Sequence, residues 1–214
     1  MKLHRAIRSD WSNIAPQQRS ILQRWAAGSR GIITPGNLIT FIGAALVIGG
    51  LYELSEGRLI SGASMIIIGR LADILDGMVA DYTKTKSPVG EAVDASIDKI
   101  LIIAALYVFL NKHLLPLPIG VVMAVHAVYS TGVTTVANRL HVHLHPSRAG
   151  KLGALFEWVC VGLYLLADIL KQQQHPTTLA HDAALVSFGL FVIGAVWSSV
   201  NYARNIYYKK TMSS

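Results

Sequence analysis

Four aspartates at helical spacing are the side chains of this sequence best suited to chemistry. Asp73 and Asp76 are three residues apart, and Asp94 and Asp98 are four apart, so each pair shares one face of a helix. They lie in the stretch 72–100, which holds six of the chain's twelve acidic residues. A set of carboxylates without histidine or cysteine favours a hard divalent cation, Mg²⁺ or Mn²⁺, over zinc. The pattern therefore indicates a metal site between two helices.

The chain around these aspartates has the composition of a membrane protein. Of its 214 residues, 52% are hydrophobic and only 14% are charged. Six apolar segments approach the ~20 residues that cross a bilayer, and a backbone in lipid must satisfy its own hydrogen bonds, which favours helices. These segments are 38–54, 59–80, 89–110, 115–140, 152–170 and 183–207. We expect an all-α integral membrane protein in which six transmembrane helices form one domain, 34–214.

A basic juxtamembrane segment, 1–33, precedes the first apolar run. Within 17–27, the apolar residues Ile21, Leu22 and Trp25 recur at helical spacing beside arginines. This pattern is typical of an amphipathic helix that lies in the lipid headgroup layer. The alternative is a basic tail without regular structure. We expect no cleavable signal peptide, because the segment is basic and interrupted.

Lysine and arginine are distributed unequally among the predicted loops. The amino-terminal segment, the second-to-third and fourth-to-fifth loops and the carboxyl end carry most of them, and such loops stay on the cytoplasmic side. We therefore expect a multi-pass protein of the cell membrane with both termini cytoplasmic. The formal net charge of +7 is accounted for by loops that face anionic lipid, so we expect no nucleic-acid partner. The single cysteine, Cys160, excludes an internal disulfide.

The two aspartate pairs are predicted to lie at one depth in the bilayer. At ~1.5 Å per residue, Asp73 and Asp76 fall roughly 21 and 26 Å from the outer end of the second segment. Asp94 and Asp98 fall about 6 and 12 Å from the cytoplasmic end of the third. Ionised carboxylates are costly in a bilayer, and four together repel one another. Their grouping near the cytoplasmic surface therefore predicts a functional site with a neutralising cation.

The aspartates and the small residues between them resemble the signature of the CDP-alcohol phosphotransferases, written D-x2-DG-x2-AR-x8-G-x3-D-x3-D. Seven of its eight fixed positions agree in type and spacing. The eighth, an arginine in the family, is Asp81 here, which replaces an attraction for phosphate by a repulsion. Lys84 and Lys86 offer a compensating charge, unless Asp81 points into solvent. The matching residues are Asp73, Asp76, Gly77, Ala80, Gly90, Asp94 and Asp98.

Two further elements extend the resemblance to nearly the whole chain. Asn37 and Thr40, which follow Pro35, are similar to the family's amino-terminal P-N-x-x-T element, with Gly36 as an extra residue. Lys151, which follows a glycine, resembles the family's basic G-K step. The six predicted helices and the interfacial helix are also what the family leads one to expect. The chain is in this respect similar to phosphatidylglycerophosphate and phosphatidylinositol phosphate synthases.

The resemblance implies an activity: transfer of a phosphatidyl group from CDP-diacylglycerol to an acceptor hydroxyl, with release of CMP. It implies two divalent ions, Mg²⁺ or Mn²⁺, on the four aspartates, with Asp98 also acting as the general base. It also implies a homodimer. A phosphorylated polyol, such as glycerol 3-phosphate or inositol phosphate, suits a basic acceptor site better than a free alcohol. The implied donor-nucleotide residues are Asn37, Thr40, Gly77, Ala80 and Gly90, and the implied acceptor residues are Arg148 and Lys151.

Other functions fit parts of the sequence. Cation transporters also carry intramembrane acids, although these continue through the midplane, whereas the aspartates here cluster near one surface. A catalytically weak relative is the second alternative, because of Asp81. Arg70 is expected to counter the acidic cluster or to contact phosphate. The loop with His141, His143 and His145 lacks the further ligands of a zinc site, so we expect it to face lipid headgroups.

Overall fold

The computed structural model describes residues 9–139 and 148–211, with the backbone alone for residues 134, 137–139, 148, 149, 151 and 205–211. These residues form seven α-helices and two short 3-10 turns, and no strand occurs among them. The predicted all-α class is therefore confirmed. The helices are α1 (Ile21–Gly28), α2 (Pro35–Ser55), α3 (Leu59–Thr83), α4 (Pro88–Asn111), α5 (Leu117–Arg139), α6 (Arg148–Gln172) and α7 (Thr178–Thr211).

Each predicted apolar segment coincides with one of the helices α2 to α7, but the ends differ. Helix α2 begins at Pro35, because Thr34 caps it by accepting a hydrogen bond from the Asn37 backbone N–H, and proline suits a first helical position. Helix α3 ends where Lys84 adopts a left-handed conformation, with φ of 54°. The loop between α3 and α4 is thus only 84–87.

Three helices are long and apolar enough to cross a membrane, namely Pro35–Ser55, Leu152–Gln172 and Thr178–Arg204. Helices α3 and α4 also have sufficient length, but they carry the charged residues around the four aspartates. Charge lowers their hydropathy without shortening them. The number of crossings therefore stays a prediction.

Two compact units divide the chain, Met1–Ala104 and Ala105–Ser214. In the second unit, α6 packs along α7, and the rings of Tyr164 and His181 meet with centroids 5.6 Å apart. His126 of α5 contacts Phe191 of α7 edge to face, at 5.1 Å. Cys160 is fully buried, as is typical of a cysteine that packs as a small apolar residue.

In the first unit, α2 and α3 approach so closely that their backbones touch. A Cβ on Gly43 would lie 2.9 Å from the Gly69 carbonyl oxygen, and one on Gly69 would lie 2.6 Å from the Gly43 oxygen. Gly50 and Gly62 face each other in the same way, at 2.7 Å. Only glycine permits this approach. The glycines recur every seven residues on each helix, so the contact runs along one continuous stripe.

The amino-terminal segment is attached to the α3–α4 loop. The Asp10 backbone N–H donates to the Lys86 carbonyl oxygen at 3.0 Å, and the Lys86 N–H donates to Asp10 Oδ2 at 3.1 Å. Gln23, which forms a capping box with Ser20, donates from Nε2 to the Thr83 carbonyl oxygen at 3.3 Å. Helix α1, Ile21–Gly28, covers part of the stretch 17–27 that the sequence predicts to be helical. The residues predicted to face lipid, Ile21, Leu22 and Trp25, are exposed.

Candidate active site

Three aspartates from two helices meet at one point. Asp73 and Asp76 of α3 and Asp94 of α4 each offer a carboxylate oxygen, and these oxygens lie within 4.8 Å of one another. Asp76 is buried, and the other two are half-buried. The Oδ1 atom of Asp94 is itself buried and has no hydrogen-bond partner among the described residues. Oxygen donors at this spacing, one of them without a partner, suit a hard divalent ion.

The fourth aspartate, Asp98, is held by an arginine instead of joining these three. Arg70 donates from Nη1 to Asp98 Oδ1 at 2.7 Å, and its Nη2 lies 3.1 Å from Asp73 Oδ2. One guanidinium thereby links α3 to α4. Of the two roles expected for Arg70, the structure has it as the partner of acids in the cluster.

Thr40 of α2 contacts one carboxylate of the three-aspartate group. Its hydroxyl is buried and donates a short hydrogen bond to Asp76 Oδ2. The close α2–α3 packing makes this contact possible, because Thr40 lies one turn from Gly43. The family resemblance implies that Thr40 contacts the donor nucleotide. In the structure, its hydroxyl is placed to orient the Asp76 carboxylate. The signal for this role in the sequence is the seven-residue spacing of glycines on α2 and α3, which lets the two backbones meet beside Thr40.

The side-chain amide of Asn37 forms hydrogen bonds with backbone groups of this chain. Its Nδ2 donates to the carbonyl oxygens of Gly31 and Ile32, at 3.1 and 2.9 Å. Its Oδ1 would lie 2.9 Å from a Cβ on Gly90, which explains why this position of α4 carries no side chain. Asn37 and Gly90 are thus brought together, at the start of the two helices.

The remaining small residues of the signature differ in their surroundings. Ala80 packs against Gly36, whose added Cβ would lie 3.1 Å from the Ala80 Cβ. A Cβ on Gly77 would meet no atom within 4 Å among the described residues. Packing therefore explains the small size of Ala80 and Gly90 but not that of Gly77, next to Asp76.

A protein-family model decides the identity of this arrangement. The model for CDP-alcohol phosphatidyltransferases matches residues 33–197, most of the chain and all of the helices that bear the aspartates. The chain belongs to the CDP-alcohol phosphatidyltransferase family. Among curated proteins and solved structures, none matches it. Membership supports phosphatidyl transfer from a CDP-alcohol and a membrane location, and it confirms the resemblance found in the sequence.

Asp81, which stands where the family signature has arginine, forms an ion pair with Lys86. Its carboxylate lies 2.8 Å from Lys86 Nζ, and its side chain is 65% exposed. Lys86, considered as a compensating cation for phosphate, instead pairs with Asp81, so that these two side chains together carry no net charge. Lys84 is exposed and ends α3.

The predicted acceptor residues, Arg148 and Lys151, lie at the start of α6, but their side chains are outside the described residues. The three histidines at 141, 143 and 145 fall in the undescribed interval. Both interpretations stay predictions.

Proposed function

We propose that this family member synthesises a phospholipid by transferring the phosphatidyl group of CDP-diacylglycerol to a hydroxyl of a phosphorylated polyol. The observation that carries the proposal is the convergence of Asp73, Asp76 and Asp94 within the matched family region. The donor has a charged pyrophosphate joined to apolar tails. A carboxylate site on α3 and α4, long helices that carry apolar residues around it, is suited to both parts of such a molecule.

Asp73, Asp76 and Asp94 would hold a divalent ion, Mg²⁺ or Mn²⁺, and the family resemblance extends this to two ions with Asp98. Bound ions neutralise charge on the pyrophosphate and on the departing CMP. The unpartnered Oδ1 of Asp94 fits this role, because a buried carboxylate oxygen needs either a hydrogen bond or a cation.

Residues of this chain would accept the proton and bind the substrates. Asp98 would accept the proton of the acceptor hydroxyl as that oxygen bonds to phosphorus and the bond from phosphorus to CMP breaks. A Cβ on Gly77 would meet no described atom within 4 Å, and by the family resemblance this glycine would contact the donor nucleotide. Arg148 and Lys151 would bind the acceptor phosphate.

We also propose six crossings, cytoplasmic termini, an active site at the cytoplasmic leaflet and a homodimer, which rest on the charge distribution and the family.

The function is tested by CMP release from the purified full-length protein in lipid nanodiscs. With CDP-diacylglycerol and Mn²⁺ or Mg²⁺, we expect release that depends on glycerol 3-phosphate or inositol phosphate and stops with EDTA. Free inositol and serine should support far less. Arg58→Gln, which removes only an exposed ion pair with Glu53 at the opposite end of α3, serves as the active control. Absence of acceptor-dependent CMP from every acceptor would contradict the proposal.

Thr40→Val is expected to weaken Mn²⁺ binding and CMP release about tenfold. Valine keeps the shape of threonine but cannot donate to Asp76, and loss of a group that orients a metal ligand typically costs about 10- to 100-fold. Thr40→Ser keeps the hydroxyl and should stay within about threefold of wild type. Wild-type behaviour of Thr40→Val together with a loss in Thr40→Ser would show that the methyl packing matters and the hydrogen bond does not.

A further inference from the structure

Arg70 is the residue whose position the proposed reaction does not by itself explain. Its guanidinium is largely shielded, with 23% of the side chain exposed, and it contacts two carboxylates on different helices through two different nitrogens. One of these carboxylates, Asp73, also contributes to the three-aspartate group. The other, Asp98, does not. Arg70 therefore lies between the group that is ready to hold an ion and the fourth aspartate.

A guanidinium and a divalent ion compete for the same carboxylate. Arginine keeps its charge at every physiological pH and binds carboxylates with directed N–H donors. Arg70 contacts Oδ1 of Asp98, so an ion that uses Asp98 must either displace the guanidinium or bind the other oxygen beside a fixed positive charge. Asp76 and Asp94 form no ion pair with Arg70 in the described part of the chain: Asp76 accepts from the Thr40 hydroxyl, and Asp94 has a buried oxygen without a hydrogen-bond partner there.

We propose that Arg70 is a built-in counter-ion that separates the affinities of the two divalent ions. The first ion binds tightly on Asp73, Asp76 and Asp94, because Arg70 contacts only Asp73 of these three described aspartates, at 3.1 Å, which is longer than its 2.7 Å contact with Asp98. The second needs Asp98 and binds more weakly, because it either displaces the guanidinium or binds beside its positive charge. The inference rests on the proposed function for the existence of two ion sites, but it concerns metal binding to the substrate-free protein. Arg70 is on this view a positioning residue that touches neither donor nor acceptor.

Mn²⁺ titration of the purified full-length protein, followed by the electron paramagnetic resonance signal of free Mn²⁺, tests the proposal. Wild type should bind one ion tightly and a second at least about tenfold more weakly. In Arg70→Gln the second ion should bind about tenfold or more tightly than in wild type, since one nearby charge contributes at least this much. Arg70→Lys should keep the wild-type gap, because the positive charge remains.

Two further variants make the outcome decisive. Asp98→Asn should lose the weak ion and keep the tight one, whether or not Arg70→Gln folds. Arg58→Gln, which breaks an arginine–carboxylate pair outside the site, should match wild type. The proposal is overturned if Arg70→Gln folds and binds the second ion no more tightly, or if Asp98→Asn keeps both ions or loses both. A protein that shows the expected Mn²⁺ pattern without releasing CMP would contradict the proposed function alone.

Discussion

Asp94→Asn is expected to reduce CMP release by about three orders of magnitude while leaving the metal-free protein at least as stable as wild type. Asparagine keeps the shape of aspartate but removes the charge that would hold an ion against Asp73 and Asp76. Metal ions supply several kcal/mol of transition-state stabilisation, and ~4 kcal/mol corresponds to about 10³ in rate. Without metal, the same change relieves repulsion among carboxylates, so the melting temperature in EDTA should hold or rise.

Asp182→Asn provides the matched control, because Asp182 is exposed on α7. It should change neither CMP release nor the melting temperature. If Asp94→Asn instead kept activity within about tenfold of wild type, Asp94 would not be a metal ligand. A fall in its melting temperature in EDTA would show that the carboxylate stabilises the fold, contrary to the argument from repulsion.

Gly69→Val is expected to cause a large loss of stability in the first unit. A Cβ at this position would lie 2.6 Å from the Gly43 carbonyl oxygen and 2.8 Å from a methyl of Val47. Backbone cannot move aside as a flexible side chain does, so α2 and α3 must separate, at a cost of about 3 kcal/mol or more. Because the same packing brings Thr40 to Asp76, we expect activity to fall together with the melting temperature in detergent.

Gly162→Ala is the control for glycine itself. A Cβ on Gly162, in the interior of α6, would meet nothing within 4 Å among the described residues. Alanine is a better helix former by ~1 kcal/mol, so this variant should be as stable as wild type or slightly more so. Full activity and stability in Gly69→Val would show that α2 and α3 are not in backbone contact.

The family of this protein could be predicted from the sequence because its signature is local. The aspartates recur at three- and four-residue spacing, which fixes the face that each occupies once the helix is given. The apolar runs of about bilayer length also placed the helices α2 to α7, with errors of a few residues where a cap decides the end, as Thr34 and Lys84 do. Composition and spacing are properties of a segment, so they need no knowledge of what packs against it.

The partners of the charged side chains were decided only by tertiary structure. The sequence predicted that Asp98 joins the other three aspartates in one metal site, whereas the folded chain pairs it with Arg70. It left open whether Lys86 serves phosphate, and the fold gives it to Asp81. Such pairings join residues on different helices or across a turn, and their distances depend on how closely those helices pack. For Thr40 and Asp76, 36 residues apart, that distance is set by glycines on α2 and α3, where two backbones meet because no side chain holds them apart.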